Sequence, residues 1–165
     1  MLLRSLLAAT FAATVVPQSV EQLTDKSTHV VEARVLAQQS AREEGPAGIY
    51  TRSTLQPLEA LKGVVGERLL VRQAGGTVGN AQVELPGDAR LQVGERVLIF
   101  LHCATERSYC TVVGLAQGVY HLDRGQAVRD FTATSFVGGA PLSAAPEPSA
   151  PLAARIRARA RETER

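Results

Sequence analysis

The sequence has no Trp, and only 4% of its 165 residues are aromatic, as three Tyr and four Phe. So few rings leave little material for the stacking platforms that bind single-stranded nucleic acid or for the faces that hold sugars. The net charge of +2 gives no reason to expect a nucleic-acid partner either. Only three His are available, and His29, His102 and His121 are too widely spaced to match any close metal-binding pattern. No metal or cofactor is therefore expected. G-x-S-x-G, H-E-x-x-H and P-loop motifs are all missing; GGTVG at residues 75–79 lacks the lysine of a phosphate loop. Beyond residue 16 there is no long uncharged apolar run, so no membrane-spanning segment is expected there.

The N-terminus carries a different signal. Arg4 precedes an apolar stretch at residues 6–16 that Pro17 ends, too short to span a bilayer but suited to a secretory leader. The expected leader is residues 1–19, with Ser19 its last residue, which places the protein in the periplasm or outside the cell. No Cys lies near that processing point, so lipid attachment is not supported. Cys103 and Cys110 are the two ends of CATERSYC, between two apolar runs. If those runs pair as a hairpin, the two residues can form a disulfide across its base, and an oxidising compartment would preserve it. Closing so short a loop contributes about 2–3 kcal/mol in the chain-entropy account. The spacing excludes a C-x-x-C redox pair.

The rest of the chain reads as short strands separated by Gly- and Pro-rich turns. Ser19 with Gln22 forms a capping-box pattern and predicts a short helix over 20–27. Residues 29–40 alternate, with Val31, Ala33, Val35 and Ala37 facing one way. The Thr-rich run at 49–61 predicts a second strand, and Pro57 should mark an edge, a bend or an end. Residues 68–73 read as a third strand, and 75–95 as a long connection with a short strand near 81–84. RVLIFLH is the most apolar run after the leader, and Val97, Ile99 and Leu101 are expected in the core. Further strands follow on both sides of Gly118, then a peripheral strand after Phe131. Residues 138–150 read as a linker and 151–165 as a basic tail that can be helical. With five Arg and two apolar anchors, Leu152 and Ile156, that tail is expected to be a solvated helix. No long amphipathic helix separates the strands, so the expected fold is mainly β. It is a small OB-like barrel, or a barrel-like sandwich, over residues 20–137.

Taken in order, THVVEARVLAQQS, IYTRSTLQPLEALKG, VRQAGGTVG, LPGDARLQVGERVLIFL and VVGLAQGVYHL resemble a group of small secreted bacterial proteins of the kind found in myxobacteria. More distantly, the LKG and GERVLIFL segments resemble netrin-like domains, which include the tissue inhibitors of metalloproteinases. That likeness implies an OB-type five-stranded barrel and a role in protein binding or inhibition. Those inhibitors meet the protease zinc with a cysteine at the mature N-terminus, and this chain has none there, so their inhibitory residues do not carry over.

The first functional expectation is thus a non-catalytic extracytoplasmic module that binds a protein or an envelope polymer. Its site is expected at Gly75, Gly76 and Gly79 together with Pro86 and Asp88, where turn residues gather. An inhibitor or accessory chaperone of an exported protease is one alternative. The other is a small secreted hydrolase, which requires His121 or His102 to meet a carboxylate in a concave pocket.

Overall fold

A computed structural model of the chain describes residues 12–138 and 142–163. Most of the expected leader, three residues of the expected linker and the last two of the tail lie outside the described residues. The strands are β1 (Ala13–Val15), β2 (His29–Arg42), β3 (Ile49–Lys62), β4 (Leu69–Ala74), β5 (Gly76–Val78) and β6 (Ala81–Val83). They continue with β7 (Arg96–Cys103), β8 (Cys110–Val112), β9 (Val119–Asp123), β10 (Gln126–Val128), β11 (Thr134–Phe136) and β12 (Glu147–Pro148). Two helices frame them, α1 (Val20–Lys26) and α2 (Ser149–Thr163). Among the described residues, no helix is long and apolar enough to cross a membrane.

The body is a β-barrel. β7, β2, β3, β4 and β8 are hydrogen-bonded in that order, and β8 pairs back onto β7 to close the ring. All pairs are antiparallel except β4 with β8. One edge of β7 is shared between two strands. Leu101–Cys103 meet β8, while residues 96–99 meet β9, from which β10 and β12 extend the sheet. A 3₁₀ turn at Leu115–Gly118, rather than a bulge in one continuous strand, separates β8 from β9. Cys103 and Cys110 face each other across the β7–β8 hairpin and are joined by a disulfide.

Strands β2 and β3 are 14 residues each and pair along almost their whole length. Register shifts near Val30, Glu32 and Val35 bend this ribbon around the barrel. The shift between Val35 and Ala37 turns Ala37 out to solvent, so the core alternation stops at Val35, two residues earlier than the sequence suggests. Pro57 lies at another of these shifts, opposite Ala33, and the strand continues beyond it. β4 pairs with β3 only at residues 50–55, so the missing N–H of Pro57 breaks no β3–β4 bond.

Side chains of β7 are buried on both faces. Val97, Ile99 and Leu101 join Val31, Ala33, Val35, Leu55 and Val71 inside the barrel. Leu98 and Phe100 point outward with Val30, Leu61 and Tyr120, and the two helices cover them. This explains why β7 is a continuous apolar run rather than an alternating one. Helix α1 begins at the Ser19 capping box and contributes Val20 and Leu23 to the outer layer. Helix α2 is not the solvated tail expected from its composition, because Leu152, Ala153, Ile156 and Ala160 are all buried. Its arginines reach across the layer instead: Arg155 to Glu21, Arg157 to Glu59, and Arg159 through two nitrogens to Asp25.

Candidate functional site

A cleft of about 930 Å³ lies beside the far end of the β2–β3 ribbon. Its floor comes from β2, β3 and β4, and its walls from the β5–β6 hairpin and the loop between β6 and β7. Gly75, Gly76, Pro86 and Asp88 all line it, although they come from two separate stretches of chain. Gly79 does not; it turns the β5–β6 hairpin with φ of 58°.

The chain needs glycine where it crosses from β4 into the hairpin. Gly75 and Gly76 have φ of 95° and 133°, conformations that side chains strain. A Cβ on Gly75 would lie 2.7 Å from the Val83 carbonyl oxygen. One on Gly76 would lie 2.4 Å from the hydroxyls of both Ser40 and Thr51. The close approach lets the backbone join the floor: the Thr51 hydroxyl donates to the Gly75 carbonyl at 2.8 Å. Ser40 faces Thr51 across the ribbon with 2.9 Å between their oxygens. Since the single Thr51 proton is engaged, Ser40 is the donor in that pair.

The other wall is tied down in the same manner. Gln73 Nε2 donates to the Ala89 carbonyl at 2.8 Å and holds the loop against β4. Asp88 accepts from the Ala89 N–H at 2.8 Å, and burial pushes its carboxyl above the usual carboxylate range. Gln38 also lines the floor and donates to Ser53 at 3.0 Å. The surface so formed mixes neutral amides and hydroxyls with apolar side chains such as Val83, Leu85 and Leu91, and Asp88, Glu84 and Arg90 are its charged members. Such groups can exchange hydrogen bonds with a polar ligand, and no serine in the lining is paired with a general base.

The histidines lie elsewhere. His29 sits between Thr28 and the Val64 carbonyl, and His102 is exposed on β7. His121 does meet a carboxylate: its Nδ1 is 2.9 Å from Glu95, both half-buried, and this hydrogen bond raises the imidazole pKa. Neither residue lines the cleft. Among the described residues, no group of three or more His, Cys, Asp or Glu could hold a metal.

The structure brings the glycine corner and the Pro86–Asp88 turn, both singled out in the sequence, to one cleft, over a floor that the sequence did not single out. The available signal was the polar character of the ribbon's far end, where Gln38, Ser40, Thr51 and Ser53 replace the apolar residues of the barrel end. No protein-family model matches the chain, and no similar curated protein was found, so the site is read from its own geometry.

Proposed function

We propose that this protein is a non-catalytic binding module that works outside the cytoplasm and takes part of a protein or envelope polymer into this cleft. One observation carries the reading. Two turn-rich stretches converge on a concave surface whose floor is built of neutral hydrogen-bonding groups from three strands. With the apolar contacts of Val83, Leu85 and Leu91 beside them, such groups suit a ligand that carries amides or hydroxyls. The Cys103–Cys110 disulfide supports an oxidising compartment, and with it export to the periplasm or beyond.

The strand order supports an OB-type reading of the barrel: a β2–β3–β4 meander, a single parallel pair between β4 and β8, and closure through β7. Through that topology the likeness to netrin-like domains favours a second reading, an inhibitor or accessory chaperone of an exported protease. The hydrolase reading has His121 and Glu95 in contact, but away from this cleft.

Thr77 is exposed and lines the cleft, so Thr77→Trp puts a bulky ring at it without touching the core. Immobilised wild-type protein should retain a saturable, stoichiometric partner from native envelope fractions, identified by mass spectrometry. The variant should lose that partner with its melting temperature unchanged. A protease as partner selects the inhibitor reading. Equal retention by both proteins rejects the cleft, and turnover of an envelope substrate without any partner moves the assignment to an enzyme.

A further inference from the structure

We propose that residues 13–19 belong to the folded domain, so that the exporting peptidase cuts N-terminal to Ala13 and not after Ser19. The cut rests on the export reading above; the domain boundary rests on contacts made by residues 13–19. β1 runs parallel to β11 with Ala13, Thr14 and Val15 in register with Thr134, Ser135 and Phe136. The Ala13 N–H donates to the Ala133 carbonyl at 3.2 Å, and the Val137 N–H donates to the Val15 carbonyl at 2.9 Å. The Ala13 methyl fills a notch over Gly87, where an added Cβ would approach it to 2.7 Å.

Gln117 makes the strongest case. Its side chain is 1% exposed and spends both ends on this segment. Its Oε1 accepts from the Gln18 N–H at 2.8 Å, and its Nε2 donates to the Val16 carbonyl at 3.2 Å. Ser19 then caps α1, its hydroxyl accepting from the Gln22 N–H while its own N–H donates to the Gln22 side chain.

A cut after Ser19 removes the cap, bares β11 and takes away both of these hydrogen-bond partners of the Gln117 side chain. A cut before Ala13 loses none of these contacts. The apolar run at 6–16 then divides in two, with β-branched Thr14, Val15 and Val16 at its end serving the β1 segment. Thr10 and Ala12 supply the small residues that such peptidases take before the scissile bond. Water adds across that amide, leaving a carboxylate on the released leader and an α-ammonium on the domain.

Export, the cut and the domain boundary need separate readouts. The chain is therefore secreted in a Gram-negative host in three forms: with its own N-terminus, and with the host's leader placed ahead of Ala13 or ahead of Val20. N-terminal sequencing and intact mass of the first form should give a periplasmic protein starting at Ala13. A start at Val20 overturns the cut while leaving export standing. Protein retained in the cytoplasm with Met1 overturns export and the cut together, and the melting comparison then decides the domain boundary alone.

In that comparison the form starting at Val20 should melt about 5–10 °C below the one starting at Ala13. Gln117→Leu should lower melting only in the longer form, because in the shorter one both of these partners are already gone. Equal melting of the two forms, or an equal drop from Gln117→Leu in both, overturns the boundary.

Discussion

Truncating Ile156 to Ala tests whether α2 is part of the barrel's outer layer. Ile156 and Leu152 are each 0% exposed and pack with Leu23, Leu98, Phe100 and Tyr120. Emptying a site of this kind loses the transfer free energy of the removed carbons and leaves a cavity behind, about 2–5 kcal/mol in all. For a domain of this size that lowers the melting temperature by roughly 5–15 °C. Urea unfolding followed by far-UV circular dichroism should show the midpoint moving down with the slope unchanged, since the same surface is exposed on unfolding. Arg161→Ala, at an exposed position on the same helix, is the control and should stay within about 0.5 kcal/mol of wild type. If Ile156→Ala unfolds at the wild-type midpoint, the helix does not dock and the outer layer is wrongly drawn.

Three further outcomes follow from the packing and charge. The Glu95 hydrogen bond raises the His121 pKa, so the folded state favours the protonated ring. Its stabilisation is complete below the ordinary value of about 6.5 and fades as pH rises through the higher folded value. Urea midpoints should fall across that window in wild type and less so in His121→Gln; parallel curves refute the pairing. Replacing Cys103 and Cys110 together by Ser should cost about 2–3 kcal/mol by chemical denaturation, from the short loop they close, and wild type in reductant should match the variant. The Tyr120 hydroxyl is buried with no hydrogen-bond partner among the described residues, and burial pushes its pKa up to about 12. Tyr120→Phe should therefore be neutral or raise stability by about 1 kcal/mol, and a marked loss would reveal an unrecognised partner.

Local signals were legible where one stretch of chain decides its own structure. The Ser19 capping box, the inward residues of β7 and the cysteines of the β7–β8 hairpin depend on neighbours a few positions away. Ala37 was misread because a register shift against β3 is a property of the pair of strands, not of β2 alone. The docking of α2 was hidden for a similar reason. Two apolar residues in an Arg-rich tail look insufficient until Leu98, Phe100 and Tyr120 are seen to present a second apolar face. The cleft floor was the least legible part, since Ser40 and Thr51 acquire meaning only once the ribbon pairs them and Gly76 closes over both.

The divided edge of β7 bears on when the barrel can form. β7 is the strand that meets β2, β8 and β9 at once, and it pairs with β2 across the whole β3–β6 excursion. During synthesis, everything before residue 96 can therefore make only an open meander, with the inner faces of β2 and β3 uncovered. Ring closure waits for the β7–β8 hairpin, a late and non-local event of the sort that slows folding. Until then the growing chain carries unpaired strand edges and depends on being shielded from its neighbours.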